Sequence, residues 1–175
     1  MMTGDLAPLL TNTVAFFGAL LFLKAALNKL ADWHRFKGVL GDYDILPERI
    51  SGLVAQAIPV LELAAFALLL LVPMTRTIGA ALAIALLLVY AFAIAANLLR
   101  GRYLLDCGCG AVPEPISWWL VARNSALALL MAPLATGQVV VSGGPLSADV
   151  ASFAIALLMI IVWIAADVMF ANGRR

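Results

Sequence analysis

The sequence predicts an all-α polytopic membrane protein, an antiparallel four-helix bundle with a fifth transmembrane helix at its side. Three observations lead there. Hydrophobic residues make up 65% of the 175-residue chain and charged residues 12%, whereas a soluble domain averages about 45–50% and about 25%. Mean hydropathy is +1.06. The apolar residues also fall into five runs, each close to the roughly 20 residues that a helix needs to cross a bilayer. Runs of that length are too long for barrel strands, so the spans are helices.

The first run is Leu9–Leu30. Met1 to Pro8 carries no Lys or Arg, and no small-x-small cleavage motif follows the run, so it reads as a retained helix and not as a cleaved leader. A long polar link, Ala31–Ile50, precedes the second run, Ser51–Pro73. The tight turn Pro73-Met74-Thr75-Arg76 then makes a hairpin with the third, Thr77–Leu99. A short polar link leads to the fourth run, Ile116–Ala135, and the Gly-rich link Thr136–Ser147 to the fifth, Ala148–Ala171. No segment outside the runs builds a soluble core, so residues 1–175 read as one membrane domain. The net charge of +1, with no basic stripe interleaved with aromatics, excludes a nucleic-acid partner and leaves the lipid bilayer as the medium. One histidine and two cysteines cannot assemble a four-ligand zinc site within one chain, so no metal ligands are assigned. They leave room for one disulfide.

Both cysteines stand in Asp106-Cys107-Gly108-Cys109-Gly110, within the link between the third and fourth runs. Glycines let the backbone turn tightly there. Arg100 and Arg102 precede the pair, and a nearby cation favours the reactive thiolate over the thiol.

The polar residues inside the runs form a pattern. Lys24, Asn28 and Lys29 lie towards the end of the first helix, Glu62 just after Pro59 in the second, Asn97 near the end of the third, and Arg123-Asn124 early in the fourth. Successive helices alternate direction, so all of these share the side of the cysteine link. At 1.5 Å per residue they sit roughly 5–16 Å below the membrane edge. The other half of the bilayer reads as nearly free of polar groups. An ionisable group near the middle of a span costs at least about 2.5–3.5 kcal/mol, and a carboxylate as short as Glu62 needs a partner. Lys24, at comparable depth on the neighbouring antiparallel helix, is the expected one. Lys29 reads equally well as snorkelling to the interface.

Orientation pulls two ways. Lys29, Arg35, Lys37, Arg49, Arg100, Arg102, Arg174 and Arg175 share the cysteine side, against Arg76 opposite. Positive-inside counting places that side in the cytoplasm. A vicinal thiol pair makes more sense facing an oxidising compartment, and several of these cations have an alternative explanation in the site.

Four segments carry a resemblance to a known family. They are Lys24-Ala-Ala-Leu-Asn-Lys-Leu-Ala-Asp32, Pro59-Val-Leu-Glu62-Leu, Asn97-Leu-Leu-Arg-Gly-Arg102 followed by Asp106-Cys-Gly-Cys-Gly110, and Ile116-Ser-Trp-Trp-Leu-Val-Ala-Arg-Asn124. With these the chain resembles the MauE family of methylamine utilisation proteins, within the wider DoxX-like group of small bacterial membrane proteins. The resemblance implies a multi-pass protein of the bacterial inner (plasma) membrane with an extracytoplasmic cysteine loop. It also implies a role in maturing the disulfide-rich small subunit of methylamine dehydrogenase beside a thioredoxin-like redox protein.

The expected function is therefore a membrane thiol–disulfide relay or maturation factor, a thiol–disulfide oxidoreductase if it acts as an enzyme. Cys107 and Cys109 cycle between dithiol and disulfide and exchange with a thioredoxin-like protein and a disulfide-containing client. Glu62 and Lys24 hold a proton or bind a carbonyl of a quinone, the candidate cofactor. Arg100, Arg102, Asp106, Asn97, Arg123, Asn124 and Asn28 support them. Two readings of other classes stay open. One is a non-catalytic assembly or chaperone subunit whose thiolates clamp a partner or a soft metal ion. The other is a small transporter built around a Lys/Glu intramembrane pocket.

Overall fold

Each of the five apolar runs is helical in the computed structural model, which describes residues 6–45, 47–71, 73–108, 114–137 and 146–172. The spanning helices are α1 (Leu6–Ala31), α3 (Glu48–Leu70), α4 (Arg76–Leu99), α5 (Trp118–Ala135) and α6 (Leu146–Asn172). All five are long and apolar enough to cross a membrane. Between α1 and α3 the expected polar link holds a further helix, α2 (Trp33–Asp42). The second span ends at Leu70, short of the expected Pro73, because Pro73 opens a separate 3-10 turn, Pro73–Thr75, that reverses the chain into α4.

The first four spans pack as neighbours in sequence, while the fifth returns to the first. The helix α3 packs between α1 and α4, α5 lies along α4, and α6 lies along the outer side of α1. The core between them combines a few large side chains, Phe17, Phe22, Leu69 and Met131, with wholly buried Ala15, Ala19, Ala65, Ala80 and Ala83. Small residues at these contacts let backbones approach, which matters where lipid competes for every apolar surface. At Gly79 backbone meets backbone: a Cβ there would stand 2.9 Å from the Leu68 Cβ and 3.0 Å from the Leu68 carbonyl carbon. The outward faces are apolar, with Leu53, Phe92, Leu129 and Val162 exposed as lipid-facing residues must be.

The half of the bundle away from the cysteines is not free of polar groups, contrary to the sequence expectation. Arg76 at the start of α4 is buried, donating from Nη1 to Asn12 Oδ1 at 2.7 Å and from Nε to the Leu69 carbonyl at 3.1 Å. Asn12 in turn donates from Nδ2 to Asp149 Oδ1 at 2.7 Å, and the Arg76 guanidinium lies 5.3 Å from the Phe16 ring centroid. This chain of contacts ties α1, α4 and α6 together. Arg76 was read from the sequence as a loop cation, because only packing reveals that a helix-start arginine folds inward.

Replacing Arg76 with Met leaves the Asn12 and Leu69 oxygens without their donor, and each such loss costs about 1–3 kcal/mol. Thermal unfolding in detergent should show Arg76→Met clearly less stable than the wild type. Combining it with Asn12→Leu should cost less than the sum of the two single changes.

Candidate functional site

The site begins at the C-terminus of α4. Gly101 donates to the Leu98 carbonyl and Arg102 to the Asn97 carbonyl, each at 3.0 Å. This is a Schellman-type end, with Gly101 at φ +76°. It turns the chain out of the membrane into the cysteine loop. The base of the loop is pinched where Cys107 donates its N–H to the Glu114 carbonyl (2.8 Å) and Ile116 donates to Leu105 (2.9 Å).

Asp106 organises what lies between. Its Oδ1 accepts the N–H groups of Gly108 and Glu114, each at 3.1 Å. Its Oδ2 accepts Arg35 Nε at 2.8 Å and Nη2 at 2.6 Å. One carboxylate thus joins both arms of the loop to α2 through a bidentate, charge-assisted contact. Gly108 sits at φ +66°, and a Cβ there would meet Val39 Cγ1 of α2 at 2.9 Å. Only glycine fits both the turn and the approach.

The helix α2 is short but well specified. The Asp32 side chain caps it, accepting the Arg35 N–H at 3.2 Å. Phe36, Val39, Leu40 and Tyr43 follow at helical spacing and turn inward over the bundle. This cap-plus-periodicity signal was present in the sequence inside the stretch taken as a polar link.

Beneath α2 lies the intramembrane ion pair. Lys29 Nζ donates to Glu62 Oε1 at 2.7 Å, with the two side chains 5% and 0% exposed. The Tyr90 hydroxyl donates to the same oxygen at 2.7 Å. Glu62 Oε2 has no partner among the described residues. The ammonium also lies 5.6 Å from the Phe36 ring centroid and 5.3 Å from that of Tyr90, within cation–π range.

The expected pairing of Lys24 with Glu62 is therefore corrected. Lys29 is the partner, and it does not snorkel. A lysine's reach made both candidates plausible by depth, but Phe36 closes the water-side exit for Lys29 and leaves the carboxylate as its counter-charge. Lys24 is half-buried and lines the cavity described next.

A cavity of about 220 Å³ runs between the ion pair and the cysteine loop, bounded by α1, α2, α3, α4 and α5, with Trp163 of α6. Lys24, Lys29, Tyr43, Tyr90, Cys107, Arg123 and Asn124 supply polar groups to an otherwise largely apolar wall. Cys107 is buried, 8% exposed, against Tyr43, Ile94, Leu98, Ile116 and Leu120. It faces into the molecule. Burial, and then the negative charge of Asp106, push the Tyr43 phenol well above its ordinary range, so it stays neutral and able to donate.

Several expected supporters are placed differently. Arg100 donates to the Asp44 carbonyl at 3.1 Å, and Arg102 to the Asp42 carbonyl and Asp44 Oδ2, each at 3.2 Å. These arginines brace the end of α4 against the α2–α3 turn. The Arg123 guanidinium lies 5.2 Å from the Trp163 ring centroid, on α6. Asn97 is fully buried and donates to the Ala93 carbonyl at 3.2 Å. Asn28 lies on α1 one residue before Lys29, its Nδ2 without a partner among the described residues. Cys109 and Gly110 lie outside the described residues, as do Arg174 and Arg175. Arg35, Tyr90 and Phe36 were missed by the sequence reading, since nothing local marks an arginine or an aromatic as the partner of a residue tens of positions away.

Fold and site together define a multi-pass membrane protein in which an amphipathic helix and a cysteine-containing loop close over an intramembrane cavity. The family model of the methylamine utilisation protein MauE matches residues 7–137. A MauE of Paracoccus denitrificans is 44% identical over 132 residues, 74% of this chain and 70% of the relative. Those of Methylophilus methylotrophus (34% identical, 93% of this chain and 86% of the relative) and Methylorubrum extorquens (35% identical, 89% and 85%) extend further along the chain. The chain belongs to the MauE family. No solved structure matches it.

Losing one partner of a buried pair typically costs about 3–5 kcal/mol. Thermal unfolding of Glu62→Ala and Lys29→Met should each show a loss of that order, and the double variant should lose less than their sum. Lys24→Met should not couple to Glu62→Ala in the same cycle; strong coupling there would restore the original pairing.

Proposed function

We propose that the chain is a membrane thiol–disulfide relay serving protein maturation in methylamine utilisation. Its relatives carry that system's name, and the observation that supports the redox reading is Cys107, fixed by the Asp106 hub above a cavity walled by Lys29, Tyr43 and Asn124. A structural loop has no need to hold a cysteine over a polar-lined intramembrane space. In this reading Cys107 and Cys109 alternate between dithiol and disulfide. Cys107, being buried, is the inner member, and Cys109 is the one that a thioredoxin-like partner attacks. Exchange proceeds through a mixed disulfide. The client is a disulfide-containing protein, in the methylamine system the small subunit of the dehydrogenase.

The loop works on the extracytoplasmic side of the inner membrane. The internal engagements of Lys29, Arg35, Arg100 and Arg102 support this choice. Cations held by Glu62, Asp106 and the Asp44 turn have a local role that explains their place on this side.

Replacing the inner cysteine strands the mixed disulfide. Cys107→Ser should therefore accumulate a covalent complex with a thioredoxin-like protein, seen by non-reducing electrophoresis and mass spectrometry. Cys109→Ser should accumulate several-fold less. Equal trapping by both, or by neither, contradicts the inner/outer assignment.

Side is tested separately. A membrane-impermeant maleimide added to intact, reduced cells should label Cys109. Labelling only after permeabilisation places the loop in the cytoplasm and removes an extracytoplasmic relay.

A further inference from the structure

The relay needs somewhere for its electrons to go, and the cavity has the chemistry of an acceptor's seat. Its wall is mostly apolar and built from membrane-spanning helices, with Leu21, Ile58, Leu87 and Phe92 among its residues. A ligand in it therefore comes from the lipid phase. Into this wall are set two polar groups that have no protein partner among the described residues. The Tyr43 hydroxyl and the Asn124 Nδ2 have no hydrogen-bond partner among the described residues, and the two residues are only 7% and 5% exposed. Buried polar groups left this way cost free energy unless something else satisfies them. Lys29 adds to the set, since an ammonium has three N–H donors and Glu62 takes one of them.

What these groups have in common is donation. Tyr43, Asn124 and Lys29 all offer N–H or O–H, while the Glu62 carboxylate stands outside the wall, reached through Lys29 and Tyr90. The ligand they fit is one that presents acceptor oxygens from an apolar body. A volume of about 220 Å³ suits a single substituted ring and is below the about 300–1,000 Å³ typical of drug-sized ligands. Cys107 lies in the same wall.

We propose that this cavity seats the headgroup of a membrane quinone, which oxidises the cysteine pair. The proposal rests on the relay reading and supplies its oxidant. Tyr43, Asn124 and Lys29 hold the carbonyl oxygens, and the isoprenoid tail leaves between helices into lipid. In the reaction two S–H bonds break and one S–S bond forms. The two electrons reduce the quinone, and the two protons end on its oxygens, giving the quinol. Lys29 acts on the ligand directly; Glu62 and Tyr90 are positioning residues that keep the ammonium aimed.

The full-length protein, reduced and held in lipid nanodiscs, is titrated with decylubiquinone. Binding is read from quenching of tryptophan fluorescence, and turnover from thiol counting beside quinone absorbance. Saturable quenching and one quinol per thiol pair consumed are expected. A Cys107→Ser/Cys109→Ser double variant should make no quinol. Asn124→Leu and Tyr43→Phe, each confirmed folded by thermal unfolding, should weaken binding about tenfold, as the loss of one buried hydrogen bond predicts.

Absence of saturable binding, or unchanged affinity in both cavity variants, overturns the quinone site. If that protein still exchanges disulfides with a thioredoxin-like partner, the relay reading stands without it. Bound quinone that leaves the thiols reduced also overturns the proposal. A pair inert towards quinone and protein alike removes the relay as well.

Discussion

One hydrogen bond, from the Lys29 ammonium to the Glu62 carboxylate, fixes the cysteine half of this molecule. Either charge alone would be costly between membrane-spanning helices, so the register of α1 against α3 is set by the need to bring them together. Tyr90 adds α4 by donating to the same oxygen, and Phe36 adds α2 by covering the ammonium. Four elements thus converge on a pair of atoms 2.7 Å apart. The pairing offsets desolvation more than it adds stability. Its larger consequence is specificity, because few other helix registers would satisfy both charges.

The cap over this pair is held by a second carboxylate. Asp106 binds Arg35 of α2 and two backbone N–H groups, of Gly108 and Glu114, so it ties the amphipathic helix to both arms of the loop. Gly108 removes the side chain that would otherwise separate them. The result is an inward-facing Cys107, sheltered from water and adjacent to the cavity, although it lies in a loop. At the opposite end Arg76, Asn12 and Asp149 tie α6 to the bundle. The two polar clusters bracket an apolar middle, which leaves the bundle fastened at both ends.

The arrangement changes how the charge bias of the chain is read. Positive-inside counting treats loop cations as free to interact with the membrane potential and the insertion machinery. Here Lys29 is buried, and Arg35, Arg100 and Arg102 are spent on contacts that brace the cap. Tertiary contacts give these residues a reason to be where they are that is independent of topology.

By itself the sequence determined the helical class, the five spans and their order, because hydropathy and run length depend only on neighbours along the chain. It also placed polar groups of four helices on the side of the cysteines, since successive spans cross the bilayer in opposite directions. Residues such as Asn97, Asn124 and Glu62 stood out for the same reason: each is polar where its surroundings are not. Only the tertiary structure decided that Lys29 rather than Lys24 meets Glu62, that Arg35 binds Asp106 of the loop, and that Cys107 faces inward. Lysine and arginine side chains are long and flexible, so depth leaves several partners within reach. Which one is used depends on what seals the space around it. Here that is Phe36 on a helix whose apolar face makes sense only once there is a bundle beneath it.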